Sequence, residues 1–211
     1  MKRFCSLGCV LAVSAFAADV PVASLLKTVE QRYNHADTLQ VLFRQSYTKA
    51  GRTRPAESGQ LDLRKPGRMR WDYADPKGKL VVCDGKTMWM YTPAENRVDK
   101  QPLKETDDLQ APIAFLLGKL HFDKEFKNLQ GKPEGPDMRI TAEPKTDNLP
   151  YTAVEFVVTS AGSIREVKVT GFDNSITAYT FEQEKLNPTL DDKLFQFQVP
   201  KGAEVVEANR N

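Results

Sequence analysis

The sequence contains few of the side chains that bind metals or act as nucleophiles. Of its three cysteines, Cys5 and Cys9 lie in a predicted leader, so Cys83 has no partner for an intramolecular disulfide. Neither histidine, His35 or His121, has a second histidine or a cysteine three or four residues away, and we interpret both as solvated or capping residues. No G-x-S-x-G motif occurs, and no serine or cysteine has a credible base partner. The sequence therefore predicts no catalytic residue, no metal site and no cofactor.

The first 17 residues have the three-part pattern of a secretory signal peptide. A basic start precedes the apolar run Leu7–Phe16, and Ala15-Phe16-Ala17 is a small-x-small cleavage site. The apolar run is too short to cross a bilayer as a helix. The sequence thus predicts a leader at residues 1–17 and an exported mature chain, residues 18–211, that forms one domain because no Gly/Ser-rich or Pro-rich linker divides it.

The mature chain also lacks an excess of charge of either sign. The full sequence has 30 basic and 28 acidic side chains, and removal of Lys2 and Arg3 leaves 28 of each. A net charge of about zero provides no electrostatic footprint for nucleic acid or for an anionic membrane surface. We therefore expect neither nucleic-acid binding nor stable membrane insertion.

Gly59–Tyr91 is the most informative stretch, because apolar and polar residues alternate there between closely spaced turn signals. A two-residue period predicts antiparallel strands with an apolar and a charged face. The apolar positions on one side of the period are Leu61, Leu63, Met69, Trp71 and Tyr73. The basic cluster consists of Arg64, Lys65, Arg68 and Arg70. The alternation places these charges away from the aromatic rings, which favours a solvated outer face or a docking surface for an acidic partner over a nucleic-acid site.

The flanking segments predict one helix and further strands. Helical spacing covers Val22–Tyr33, Gly131–Asp137 is predicted to be a loop, and Pro112 opens an apolar helical block that continues to Leu117. The further strands are predicted at Leu39–Tyr47, Arg97–Gln101, Met138–Ala142, Thr152–Thr159, Ile164–Thr170, Ile176–Glu184, Phe195–Val199 and Ala203–Val206. About ten strands at hairpin spacing favour a mainly β (α+β) fold, as a barrel or half-barrel rather than a sandwich.

One family shares the specific residues of the central stretch. They are Gly59-Gln60-Leu61, Arg64–Tyr73, Pro76 and Asp84–Pro93, with Phe43-x-Gln45 upstream. In these residues the sequence resembles the outer-membrane lipoprotein carrier (LolA) family. The resemblance implies an open, incomplete antiparallel β-barrel that is covered by a leading helix and short lid helices.

The resemblance also implies a function and partners. It implies a monomeric, non-catalytic chaperone of the periplasm that binds the acyl chains of lipoproteins in an apolar hollow. Such a carrier takes acylated lipoproteins from an inner-membrane ABC transporter to an outer-membrane acceptor. Burial of each methylene is worth about 0.8 kcal/mol, so an acylated protein needs a shielded carrier to leave a membrane.

The strand alternation and the family resemblance together predict which residues form the acyl-binding hollow. The predicted lining consists of Leu61, Leu63, Met69, Trp71, Tyr73 and Trp89, with Phe115 and Leu116 on the lid. Trp89 is preferred over its neighbours Met88 and Met90 because it is aromatic. The family commonly has an arginine just before the proline that ties the rim to the lid, and Lys65 stands there, so Arg64 and Lys65 are the candidate latch residues.

Three alternatives remain open. The same apolar residues form a filled core in most β proteins. A related half-barrel could act as a regulatory module that senses lipid or protein without ferrying it. A third alternative is a carrier of another amphiphile, such as a glycolipid.

Overall fold

The computed structural model describes residues 21–103, 120–146 and 149–207. Helix α1 spans Val22–Asn34, a one-turn helix α2 spans Phe122–Glu125, and two 3-10 turns lie at Pro93–Glu95 and Asp192–Phe195. The strands are β1 (Thr38–Lys49), β2 (Arg52–Thr53), β3 (Glu57–Arg64), β4 (Arg68–Asp75), β5 (Leu80–Asp84), β6 (Thr87–Thr92), β7 (Arg97–Pro102), β8 (Phe126–Glu134), β9 (Asp137–Pro144), β10 (Tyr151–Val158), β11 (Ile164–Gly171), β12 (Ile176–Leu186) and β13 (Glu204–Glu207). The predicted leader at residues 1–17 lies outside the described residues.

All thirteen strands belong to one sheet. Their order is β13-β7-β6-β5-β4-β3-β1-β12-β11-β10-β9-β8, and β2 pairs with β1. The pairs are antiparallel except β13 with β7, which is parallel. Because β13 and β8 stand at opposite ends of this order, the sheet is open, and the expected mainly β, incomplete-barrel architecture is confirmed.

The sheet curves around helix α1. At the first turn of the helix, the Cγ2 atom of Val22 would lie 2.2 Å from a Cβ atom placed on Gly131 of the end strand β8. At the last turn, the carbonyl oxygen of Tyr33 accepts a hydrogen bond from Lys65, between β3 and β4. A single helix meets such distant strands only if the sheet bends towards it. We call the side of the sheet that faces α1 the inner face and the other side the outer face.

Helix α1 closes the inner face with its apolar stripe. Leu25, Leu26, Val29 and Tyr33 are buried on that stripe, which confirms the helical spacing in the sequence. They form one cluster with side chains from both halves of the sheet, including Leu61 of β3 and Phe156 of β10. The inner face and the helix therefore share one hydrophobic core.

Two segments differ from the sequence-based expectations. Residues 131–134, predicted to be part of a loop, complete strand β8, and the hairpin turn lies at Gly135. Residues 195–199 were predicted to form a strand, but Phe195 ends a 3-10 turn and the following residues pair with no strand.

The segment after β12 crosses the outer face instead of joining the sheet. Phe195 is buried there, and Phe197 stacks on Trp89 with ring centroids 5.4 Å apart. The side chain of Arg70 donates a hydrogen bond to the carbonyl oxygen of Leu194 at 3.3 Å. We call residues 188–199 the C-terminal strap. Its alternating phenylalanines pack onto a sheet surface, which explains why they resemble a strand in sequence.

Candidate functional site

The predicted lining residues of the central meander lie side by side on the inner face. Leu61 pairs with Trp71, and Leu63 pairs with Met69, across the β3–β4 ladder. Directly opposed residues in antiparallel strands project to the same side of a sheet. With Tyr73 they belong to the hydrophobic cluster, where Leu61 is fully buried and Trp71 is 6% exposed.

Aromatic rings give this part of the inner face a continuous apolar surface. The ring of Phe43 makes edge-on contacts with Trp71 and Tyr73, at centroid distances of 4.7 and 5.1 Å. Tyr179 lies 5.8 Å from Trp71 on the other side and stacks on Phe181. The indole Nε1 donates to the Sδ atom of Met69 at 3.4 Å. The rings pack mainly through apolar contact, which suits ligands without fixed polar groups.

Burial of this surface perturbs its phenol groups. Burial, with a smaller contribution from the Glu57 carboxylate, raises the pKa of Tyr179 to about 12. Burial also raises the pKa of Tyr73. Low-dielectric surroundings disfavour the phenolate, so both groups are neutral at physiological pH.

Helix α1 occupies this part of the inner face, and we call this arrangement the closed form. Two small cavities of about 10 Å³ adjoin Tyr33, one beside Leu63 and Lys65 and the other beside Val167 and Phe181. Each has space for about one water molecule. Neither cavity has room for an acyl chain.

A β-bulge on β12 supplies one of the contacts that hold α1 in place. Gln183 has a φ of +54°, and the pairing of β12 with β1 shifts between Gln40 and Leu42. An extra residue in one strand re-aims the side chains that follow it. The carboxylate of Glu184 consequently reaches the helix on the inner face.

Glu184 binds two side chains of the last turn of α1, Arg32 and Tyr33, and also contacts Ser163, which precedes β11. Its carboxylate accepts hydrogen bonds from Arg32 Nε at 2.9 Å, from the hydroxyl of Tyr33, and from Ser163 Oγ at 3.2 Å. The Tyr33 hydroxyl in turn accepts a hydrogen bond from the Ile164 amide at 3.0 Å. Burial, and then the charge of Glu184, raise the pKa of Tyr33. We call Glu184 with Arg32, Tyr33 and Ser163 the Glu184 clamp.

The two predicted latch residues have different contacts. Lys65 Nζ donates to the carbonyl oxygen of Tyr33 at 2.5 Å, and burial lowers the pKa of this ammonium. It therefore joins the β3–β4 turn to α1. Arg64 instead binds the carboxylate of Asp192 and the carbonyl oxygen of Leu190, both on the C-terminal strap. The Arg64 side chain thus points to the outer face, and its predicted role as a latch to the lid stays a prediction, because the lid residues lie outside the described residues.

The basic cluster is covered by the chain itself. Arg64 and Arg68 both pair with Asp192, the second at 2.9 Å, and both guanidinium groups lie over the ring of Phe195. The acidic partner of these residues is therefore intramolecular, and the prediction of an open, solvated face is wrong there.

Trp89 lies on the outer face, which corrects its prediction as a lining residue. It pairs with Val82, whereas Met88 pairs with Cys83 and Met90 with Val81. Met88 packs against the hydrophobic cluster. The Trp89 ring is instead held between Phe197 and the ammonium of Lys100, which lies 5.2 Å from its centroid. Met88 is thus the residue of β6 that the sequence reasoning missed.

The two predicted lid residues, Phe115 and Leu116, lie outside the described residues. Segments on either side of them are described. Leu103 packs against the hydrophobic cluster and Leu120 belongs to it, so both flanking segments lie beside the inner face. The proposed lid role stays a prediction.

A further cavity lies on the outer face and has a different character. It measures about 550 Å³ and lies over β1, β3, β4 and β12. The side chains of outer-face residues around it are Leu42, Arg44, Ser58, Gln60, Asp72, Thr180 and Glu182. Its exposed lining is mainly apolar, but Arg44, Asp72 and Glu182 stand on its walls, and an acyl chain would desolvate these charged groups without offering hydrogen bonds.

One group of possible metal ligands occurs at the junction of the helices. Potential ligand atoms of Glu30, His121 and Asp123 all lie within 4.8 Å of one another. The sequence reasoning missed this group because Glu30 is far from the other two along the chain. In contrast, His35 bonds through Nδ1 to the carbonyl oxygen of Gln31 at 2.7 Å.

Comparison with known proteins shows the family. A family model described as outer membrane lipoprotein carrier protein LolA matches residues 34–198. The chain belongs to the LolA family. Proteins named outer-membrane lipoprotein carrier protein are 29% identical over 199 residues in Nitrosomonas europaea and 27% identical over 198 residues in Chromobacterium violaceum. These alignments cover 93% and 94% of this chain and 96% and 95% of those relatives.

Solved structures share the fold at low sequence identity. An uncharacterized conserved protein of Thermus thermophilus has a TM-score of 0.51 at 13% identity, and the match covers 88% of this chain and 98% of that protein. A DUF1329 family protein of Desulfovibrio piger has a TM-score of 0.50 at 12% identity, with 83% and 97% covered. At this level of identity, these likenesses support the fold of the chain and nothing about its function.

Neither the length nor the hydrophobicity of any helix in the described ranges is sufficient to traverse a bilayer.

Proposed function

We propose that the protein is a lipoprotein carrier that holds the acyl chains of its cargo against the inner face after α1 has moved aside. One observation carries this proposal. A continuous apolar surface, from Phe43 through Trp71 to Tyr179, is closed by a helix whose last turns are held by polar contacts. Polar contacts at the margin of an apolar surface can be broken and replaced by water, so the helix can act as a displaceable cover.

The closed form also explains how such a carrier could release its cargo. The apolar stripe of α1 and an acyl chain compete for the same inner face, so the net affinity is the difference between two burial energies. A carrier with a permanently open hollow would hold acyl chains too tightly to deliver them. We propose that Lys65 and the Glu184 clamp set the free energy of opening.

The route of transport is part of the same proposal. Residues 1–17 would direct export and be removed, and residues 18–211 would work as a monomer in the periplasm, without catalytic activity. An inner-membrane ABC transporter would load the acylated lipoprotein and supply the energy, and an outer-membrane acceptor would receive it. The names of the relatives support lipoprotein cargo.

The test is native mass spectrometry of residues 18–211 mixed with a triacylated lipoprotein, beside the same lipoprotein without its acyl chains. We expect a one-to-one complex with the acylated form only, because the inner face offers apolar surface. Equal binding to both forms would refute the acyl mechanism and favour a sensing module that recognises protein. Binding of neither form, together with an extracted glycolipid or other amphiphile, would favour the alternative cargo.

A pair of variants locates the acyl site on the sheet. Met88→Glu places a charge at the margin of the inner face, where Met88 is only partly buried. Leu42→Glu is the matched control, because Leu42 is 36% exposed and lies beside the outer cavity. We expect Met88→Glu to reduce the complex at least tenfold and Leu42→Glu to leave it unchanged. The reverse pattern would place the acyl chains on the outer face.

A further inference from the structure

Three metal-ligand side chains from separate parts of the sequence meet where α1 contacts α2. Glu30 is a half-buried residue of α1, and His121 and Asp123 lie at the start of α2. Their potential ligand atoms are all within 4.8 Å of one another. An imidazole and two carboxylates on one small patch combine a neutral nitrogen donor with two negative oxygen donors.

The backbone around the three ligands is fixed by hydrogen bonds. The side-chain amide of Asn34 both donates to the carbonyl oxygen of Leu120 at 2.8 Å and accepts from the Leu120 amide at 2.6 Å. The amide of Phe122 donates to Glu30 Oε1 at 2.8 Å. These three bonds hold the segment of His121 against α1 and orient the Glu30 carboxylate. Hydrogen bonds to a ligating carboxylate are a usual support of metal sites.

We propose that Glu30, His121 and Asp123 bind a divalent transition-metal ion of the zinc class. Imidazole suits zinc and its neighbours in the first transition row, whereas magnesium and calcium prefer oxygen ligands alone. The Phe122 amide bond to Glu30 Oε1 orients this carboxylate and leaves Oε2 free of that bond. A fourth position would be open to water, as in zinc sites with three protein ligands.

The geometry requires only side-chain adjustment. Ligands at about 2.0–2.1 Å from a tetrahedral zinc ion lie about 3.4 Å apart. Atoms that are now separated by up to 4.8 Å must therefore approach by at most about 1.4 Å. The Asp123 side chain is exposed and Glu30 is half-buried, so rotation of their carboxylates can supply this movement.

Two further charged groups adjoin the ligands. The carboxylate of Glu125 accepts a hydrogen bond from the His121 amide at 3.3 Å. Lys145 directs its ammonium to the carbonyl oxygen of Asp123. A metal ion would relieve the repulsion between Glu30 and Glu125. It would also connect α1 to α2 across the margin of the inner face.

The test is isothermal titration of the mature chain, without a histidine tag, with zinc chloride. The chain has only two histidines, so His121→Asn and the matched control His35→Asn separate the site from its surroundings. We expect one equivalent of zinc, a Kd at least tenfold weaker for His121→Asn, and an unchanged Kd for His35→Asn. The proposal would be overturned if no binding occurred up to about 1 mM zinc, a concentration about a hundred times a Kd of about 10 μM. Equal binding by both variants would also overturn it.

A second variant keeps the test valid if His121→Asn fails to fold. The side chain of Asp123 is exposed, so Asp123→Asn is expected to leave the fold unchanged and to weaken zinc binding at least tenfold. Cobalt(II) provides a spectroscopic measure, because its visible absorption reports the number and kind of ligands. Loss of that absorption in Asp123→Asn supports the site, and its persistence contradicts it. These measurements need no lipoprotein, so their failure would not affect the proposed carrier function.

Discussion

Replacement of Glu184 by glutamine tests whether the clamp holds the carrier closed. The variant keeps the size of the side chain and an acceptor oxygen but removes the negative charge. Arg32 would keep a bond to the neutral amide oxygen, whereas the Tyr33 hydroxyl would face the amide NH2 group, which cannot accept its proton. The change therefore weakens the attachment of α1 without creating a cavity in the apolar core.

The magnitude follows from the number and exposure of these bonds. A hydrogen bond to a charged group contributes about 1.5–3 kcal/mol and a neutral one about 0.5–1.5 kcal/mol. The side chain of Arg32 is 30% exposed, so solvent screens part of its interaction with Glu184. We expect Glu184→Gln to lower the free energy of unfolding by about 1–2 kcal/mol.

The same change should strengthen acyl binding. If ligand binds only the form in which α1 has moved, the observed Kd equals the intrinsic Kd divided by the population of that form. Weakening the closed form by about 1–2 kcal/mol therefore lowers the observed Kd by about 5- to 30-fold. Titration with a fluorescent acyl probe measures this Kd, and urea denaturation measures the stability.

Glu182→Gln is the matched control for both measurements. It removes the same charge from the same strand, but Glu182 is exposed and lies beside the outer cavity. We expect its Kd and its free energy of unfolding to equal those of the wild type. If Glu184→Gln lowers stability and also weakens probe binding, α1 is part of the binding site, and the idea of a displaceable cover is refuted.

Two further predictions concern the strap and the buried phenols. Asp192 is 67% exposed, so Asp192→Asn should lower the free energy of unfolding, measured by urea denaturation, by only about 0.5–1 kcal/mol in low salt and by less in high salt. Hydrogen exchange should show faster exchange of the amides in the strap. A loss of stability that does not depend on salt would contradict the ion-pair account. The raised pKa of Tyr179, about 12 against about 10 in an unfolded chain, means that the unfolded chain ionises first, so stability should fall as pH rises from about 10 to 12. Tyr179→Phe should reduce that slope in urea denaturation at pH 9, 10 and 11, and an unchanged slope would refute the assignment.

The sequence predicted the inner face of the central meander, because strict alternation there has one structural meaning. Leu61, Leu63, Met69, Trp71 and Tyr73 share a face as the two-residue period requires. Helical spacing likewise identified α1, because four apolar side chains at that spacing define its buried stripe. Both are local properties, and both follow from backbone geometry without knowledge of distant contacts.

Trp89 shows what a local pattern could not provide. The preference for its ring as a lining residue assumed that a large aromatic side chain is buried only on the core side. The strap buries it on the outer face through Phe197, a contact between residues over a hundred positions apart. The short turn after Asp84 already implied that Met88 shares a face with Cys83. Trp89 was chosen for the size of its ring, although the cross-strand register was the stronger signal and favoured Met88.

Arg64 and Lys65 show the same limit for charged residues. They are adjacent in sequence, yet one binds Asp192 on the outer face and the other binds the end of α1. The chain turns at Pro66 and Gly67, so neighbouring side chains there diverge. Their roles depend on which distant segment covers each side of the sheet, and the identity of those segments is a tertiary property.

The distinction between a filled core and a hollow was beyond the sequence for a thermodynamic reason. Both require the same apolar residues on the same face, and they differ only in what covers that face. In the closed form the cover is α1, which contributes Leu25, Leu26, Val29 and Tyr33 to the core. If an acyl chain replaces this stripe, the inner face is part of the core in the closed form and a binding site in the loaded form. A carrier that must release its cargo requires these two states to have similar free energies, so a buried inner face in the closed form is what the proposed function demands.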